Sequence, residues 1–191
     1  TLGVTVNLQT DTASGTAGIA NIEGAVGSEQ ADTLTGSSED DTFVFLNDWS
    51  IDTVTAGSGG TDTLDFSGIT EALTFNLNGD GTLTVTDGTS QLTDLADFEI
   101  IIGSHASDTY VFHDGWGSVT IESPTATSET ILDFSAVTHN LEFTIDADGK
   151  LSVKDLTDIT NQVLPSINIG GVIGGSGTNR FVFADQGYLN G

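Results

Sequence analysis

The 191-residue sequence repeats itself, and the repeat limits the folds open to it more than any local pattern does. The stretch "TFVF" (42–45) returns as "TYVF" (109–112) and "RFVF" (180–183), so Phe43 stands 67 residues before Tyr110, and Tyr110 71 before Phe181. The segment "TLDFSGITEALTFNLNGDGTLTVTDGT", starting at Thr63, returns as "ILDFSAVTHNLEFTIDADGKLSVKDLT", starting at Ile131, a shift of 68. Through "LGVTVNL", "EALTFNL" and "HNLEFTI", Leu8, Leu77 and Ile145 fall in register. The chain divides into repeats at 1–68 and 69–136 and an incomplete third at 137–191, read as one continuous stack. The third lacks a counterpart of "TIESPTATSETILDFS". It reads as a slice of a longer array, whose end would stack head to tail on neighbouring repeats or on another copy.

Within each repeat the apolar residues alternate with period two, as in Val4/Val6/Leu8, Phe75/Leu77, Leu83/Val85 and Leu151/Val153. That period belongs to half-buried strands. Between paired runs lie "NGDG" (78–81) and "DADG" (146–149), whose Asn, Asp and Gly suit hairpin loops that need positive φ. "LTDLADFEIII" (92–102) reads as a turn leading into a strand. The expected class is all-β: a parallel β-solenoid of roll or helix type, with hairpin excursions in each repeat of about 68 residues. An antiparallel β-sandwich of hairpins is the alternative. Parallel stacking would line equivalent residues such as Phe43, Tyr110 and Phe181 along one core row.

Charge narrows the functions. With 28 acidic and 3 basic residues, a net charge of −25 repels phosphate backbones and anionic lipid, and excludes nucleic acid as a partner. A hard divalent cation is the natural neutraliser of so many carboxylates. Without cysteine there is no disulfide framework and no thiolate metal site. No apolar run approaches the ~18 residues of a membrane span, so no membrane insertion is expected. The opening "TLGVTVNL" has no signal-peptide character, which suits a processed or excised segment. This composition fits an extracellular or cell-surface setting.

The acids gather in turns. "GSEQADTLT" (27–35) and "GSSEDDTFV" (36–44) are consecutive nine-residue units, and "GSGGTDTLD" (57–65), "GSHASDTYV" (103–111) and "GGSGTNRFV" (174–182) follow the same plan. The plan resembles the glycine- and aspartate-rich nonapeptide of the repeats-in-toxin (RTX) family of secreted calcium-binding proteins, in the degenerate form found in very large secreted or surface members. The resemblance implies Ca²⁺ held by turn carbonyls and the sixth-position acids Asp32, Asp41, Asp62 and Asp108, with Glu39 and Asp40 alongside and Gly27, Gly36 and Gly57 opening the turns. It places Leu34, Phe43, Leu64, Tyr110 and Phe181 in the core. The match is incomplete: Gln30, Glu39 and Ala106 replace the fourth-position glycine, Asn179 replaces an acid, and the unit "TATSETILD" (125–133) has Thr130 at the acid position. Units 27–44 are the foremost candidate site and 57–65 the next.

Catalysis finds little footing. His105, His113 and His139 lie far apart in sequence, and "GGVIGGSG" (170–177) lacks the lysine and helix of a phosphate loop. The expectation is a non-enzymatic structural or adhesive segment of a large extracellular calcium-binding repeat protein, with a filament or sheath subunit as one form of it. A calcium-dependent carbohydrate-binding or adhesin module is the competing class. For that class Trp49 and Trp116, 67 residues apart, would form a repeated glycan-contacting patch; otherwise they cover a solenoid edge.

Overall fold

The computed structural model describes residues 2–125 and 129–184, so part of the unit at 125–133 and the segment 185–191 lie outside it. Among the described residues there is no helix, and all regular structure is strand, as expected. The chain opens with β1 (Thr5–Asn7), β2 (Thr12–Ala13) and β3 (Gly24–Val26). Strands then arrive every nine to eleven residues: β4 (Thr33–Thr35), β5 (Thr42–Leu46), β6 (Thr53–Thr55) and β7 (Thr63–Gly68). They alternate between two sheets. β3, β5 and β7 pair in parallel, with Ala25, Phe43 and Leu64 in register. β1, β4 and β6 do the same with Val6, Leu34 and Val54.

This order is interrupted twice. After β7 the chain makes an antiparallel meander of β8 (Thr74–Leu77), β9 (Leu83–Thr86) and β10 (Gln91–Leu95). Gly81, at φ +81°, sits in the expected "NGDG" turn, a conformation that L side chains adopt at a cost. The chain then returns to parallel pairing, β11 (Ile100–Ile102) on β7 and β12 (Thr109–Phe112) on β8. β13 (Ser118–Glu122) and β14 (Ile131–Asp133) add to these. A second meander, β15 (Leu141–Ile145), β16 (Leu151–Asp155) and β17 (Gln162–Ser166), turns at "DADG". β18 (Gly171–Ile173) pairs with β14, and β19 (Asn179–Phe183) with β15. The result is one sheet of nine strands facing sheets of four and six, which meet at a parallel bridge between Ile51 and Gln91.

Two expectations need revision. Phe43, Tyr110 and Phe181 do not share one row: β5 and β19 belong to the nine-stranded sheet and β12 to the six-stranded one. The reason is parity, because β12 comes seven strands after β5 and β19 seven after β12, so each repeat changes sides. In "LTDLADFEIII" the first half is strand β10, not turn; the turn follows, with Asp97 at φ 62°.

Inward side chains from all three sheets form one buried cluster. Rings stack along it, Phe45 on Phe66 at 4.9 Å, Phe75 on Tyr110 at 4.3 Å and Phe112 on Phe134 at 4.1 Å. Phe181, expected in the core, covers Phe143 at 4.8 Å but is itself about half exposed, because β19 is an edge strand with no neighbour on its other side. Each buried ring adds roughly 1.5–3 kcal/mol relative to exposure. Ring stacking also fixes register, since a one-residue slip would send these side chains to solvent.

Candidate functional site

The acidic turns are the corners where the chain passes from one sheet to the other. Strand β4 lies between the turn at 27–32 and the turn at 36–41, so these neighbours in sequence lie at opposite flanks. Stacking instead sets corner 27–32 against 47–52, and corner 36–41 against 56–62. At the first flank the Asp32 backbone N–H donates to Asp52 Oδ1 at 2.8 Å; at the second, the Asp41 N–H donates to Asp62 Oδ1 at 2.9 Å. The second pair is very close, since a β-carbon at Gly36 would collide with the Ala56 carbonyl oxygen and one at Gly57 with that of Ser37. Gly57, at φ +122°, is also in a conformation reserved in practice for glycine. Gly27 has no such constraint; its hypothetical β-carbon would meet the Phe45 ring at 3.5 Å.

Four of the sixth-position side chains close their own turn, and Asp32 and Asp108 reach an adjacent turn as well. One oxygen takes the N–H four residues back: Asp32 from Ser28 at 2.6 Å, Asp41 from Ser37 at 2.5 Å, Asp108 from Ser104 at 2.7 Å. Asn179 does the same with Gly175 at 3.2 Å. In Asp32 and Asp108 the other oxygen reaches an adjacent turn: Asp32 Oδ1 accepts from the Val4 N–H at 2.7 Å and Asp108 Oδ1 from that of Leu73 at 2.8 Å. Buried backbone donors at the start of a strand are thus satisfied by side chains.

Two participants escaped the sequence reading. Asp52 has no glycine before it, yet it opens the tripeptide Asp-Thr-apolar (52–54) found also at 32–34, 41–43, 62–64 and 108–110. That shorter pattern would have found it. Glu99, whose Oε2 accepts the Asp62 N–H at 2.8 Å, continues the second flank and belongs to no motif.

Burial makes these carboxylates costly. Asp32, Asp41, Asp52 and Asp62 are all at most 5% exposed. Burial raises Asp52 to about 6 against the pull of the Asp32 N–H, helped by the charge of Asp32. Burial likewise raises Asp62 to about 6, against the Asp41 N–H, with the charges of Asp41, Glu99 and Asp40 adding to it. Asp41 Oδ1 and Asp52 Oδ2 are buried without a hydrogen-bond partner. Nearby, Asp40 Oδ1 takes the Thr61 N–H at 2.7 Å, and Gly60 packs on the Glu39 carbonyl. Hard oxygen donors with negative charge to spare fit a calcium-type cation at this flank. Among the described residues no three acidic or histidine side chains converge closely enough to enclose an ion, so backbone carbonyls would have to complete the shell.

The remaining candidates are placed differently. Asp108 is raised by burial but is stacked on no second acid; it lies near the buried, unpaired Tyr110 hydroxyl. Thr130 approaches the Ser123 hydroxyl at 3.4 Å. Trp49 and Trp116 are 3% and 4% exposed, edge-on to Phe45 and Phe66 and to Phe112 and Phe134 respectively. Their rings are packing surface in this conformation and present no outward face to a sugar. His139 pairs through Nδ1 with the buried Asp155 at 2.6 Å, 3.8 Å from Asp114, and ties the second meander to the corner after β12.

No protein family, no curated protein and no solved structure matches the chain.

Proposed function

We propose that the chain is a structural segment of a large extracellular repeat protein, a β-solenoid stiffened by calcium at its acidic corners and lengthened by strand addition at its ends. The observation that carries this reading is the stacked pair 36–41 and 56–62, with its unpaired Asp41 Oδ1 and its charge-crowded Asp62. Asp41 and Asp62 would hold the ion, with Asp40, Glu39 and turn carbonyls completing the oxygen shell. At low Ca²⁺, repulsion among these groups opposes closure of the corners; at millimolar Ca²⁺, mass action favours the closed form. A chain kept open inside the cell and closed outside suits export. The solenoid reading rests on the alternation of strands between facing sheets and on the parallel register in both.

Lengthening is supported by the sheet edges. β3 and β19 are opposite edges of the nine-stranded sheet and run in the same direction. Near one edge Ile22 and Val26 are exposed, and near the other Ile173, Phe181 and Phe183. Such edges accept a further parallel strand from a flanking repeat or a second copy.

Thermal unfolding with chelator, then Ca²⁺, with Mg²⁺ as control, tests the first half. A Ca²⁺-specific rise in Tm supports it, and an unchanged Tm overturns it. Sedimentation velocity tests the second. Concentration-dependent chains that shorten to dimers when Val26→Lys and Phe183→Lys proteins are mixed support head-to-tail addition, whereas a monomer at all concentrations removes the second copy as partner.

A further inference from the structure

A cavity of about 300 Å³ opens beside the first meander and adjoins the second acidic flank at Glu99. Its floor is core, with Leu95, Ile101, Trp116 and Val119 facing it, and Asp97, Phe98 and Glu99 stand along its wall. It exists because β10 leaves register with β9 between Leu92 and Leu95, and Asp94 and Asp97 turn left-handed at φ 56° and 62°. Bulges of this kind bend a strand away from its neighbour and re-aim side chains.

The three repeats supply an internal control. Asp97 aligns with Asn21 and Asn168, and all three are left-handed, at φ 62°, 53° and 58°. The backbone therefore asks for an Asn or Asp side chain, and Asn meets the need twice. At the next position Phe98 aligns with Ile22 and Ile169, and at the next Glu99 aligns with Glu23 and Gly170. The first repeat also has a cavity at the aligned residues Asn21, Ile22 and Glu23, of about 210 Å³, but only the second combines an acid, an aromatic ring and a second acid along its wall. Phe98 is steadied by an edge contact with Phe43 at 6.2 Å. Glu99 gives one oxygen to the Asp62 N–H and keeps the other.

We propose that this cavity binds a small organic cation, a primary ammonium on a short alkyl chain, with the alkyl part on the apolar floor and the ammonium at Asp97 and Glu99 beside the Phe98 ring. Carboxylates supply charge and hydrogen-bond acceptors, the ring face attracts a cation, and a cavity of this size sits at the lower end of small-molecule sites. No Lys or Arg lines the cavity to compete. Glu99 joins this site to the second acidic flank through the Asp62 N–H, so binding is measured with chelator present.

The test is a calorimetric titration of the intact chain with n-pentylammonium at physiological ionic strength, with 1-pentanol as the uncharged control. Saturable one-site binding is expected, at least ten-fold weaker in Asp97→Asn and several-fold weaker in Phe98→Ile. Both substitutions install the residue that another repeat already carries, so Tm should stay within a few degrees. No saturable binding overturns the proposal. So does equal affinity in Asp97→Asn, which would mark non-specific attraction to an acidic chain, or equal affinity for 1-pentanol, which would mark an apolar hole.

Discussion

The stacked turns of residues 24–68 and the meander-bearing stretch 74–184 solve the same problem with different chemistry. In the first, turns recur at 18 to 21 residues, so acid positions fall on acid positions: Asp32 against Asp52, Asp41 against Asp62. In the second, the meanders break that coincidence: Asp108 and Asp114 still take such N–H groups with no acid stacked on them, and elsewhere neutral oxygens do so. Asn161 Oδ1 takes that of Gly117 at 2.9 Å, and Ser166 Oγ that of Ile121 at 3.0 Å. Closing a corner therefore requires an acceptor and not a charge. The carboxylates of the first region bring a surplus of negative charge that hydrogen bonding alone does not explain, and that surplus is the physical ground for expecting a cation there.

The largest effect should ignore the contrast. Phe66→Ala and Phe134→Ala each remove a fully buried stacked ring, one per region, and each should cost ~3–5 kcal/mol by urea denaturation. A much smaller loss in either region would mean that its core is loosely packed. Next in size is the response to calcium. Asp41→Asn combined with Asp62→Asn should abolish the Ca²⁺-dependent gain in Tm, and Asp108→Asn should leave it in place. If Asp108→Asn removes it instead, the ion lies in the second region.

Acidity offers a third contrast. Asp52 and Asp62 titrate near 6 when folded and near 3.8 when unfolded, so the stability they contribute is full below the unfolded value and is lost as pH rises through about 6. Lowering the pH from 7.5 to 5 without Ca²⁺ should therefore raise Tm. Asp52→Asn with Asp62→Asn should flatten that slope, and a slope unchanged by the pair would place the titration elsewhere. The smallest effect belongs to His139. Its hydrogen bond to Asp155 raises its pKa above 6.5, so its contribution is present below that value and lost as pH rises through the raised one. His139→Gln should thus lower Tm slightly at pH 6 and leave it nearly unchanged at pH 9.

The strands and the hairpin turns could be read from period-two alternation and Asn/Asp/Gly turns, because both are local; the core row through Phe43, Tyr110 and Phe181 could not, because it depends on which sheet each strand joins. Stacking partners could not. Asp32 meets Asp52, and Asp62 meets Glu99, only after the chain has crossed to the other sheet and back, and the meander makes that return 37 residues long for Glu99 and only 20 for Asp52. The Trp pair was legible as a repeat but not as buried, since an indole after a turn is equally compatible with either side of a sheet. Asp97 was visible as an acid, but its left-handed backbone and the cavity beside it exist only after β10 bulges.

Seven strands per repeat also has a mechanical consequence. A meander puts three strands where a plain turn puts one, and at about 4.8 Å per strand this lengthens one face by about 10 Å relative to the other. Were the strand number even, each successive meander would fall on the same face and the molecule would bow into an arc. Because the number is odd, the first meander extends one face and the second its opposite, leaving nine strands against four plus six. In the proposed array the bending moments would cancel in pairs, and a continuation with the same parity would run on as a straight rod.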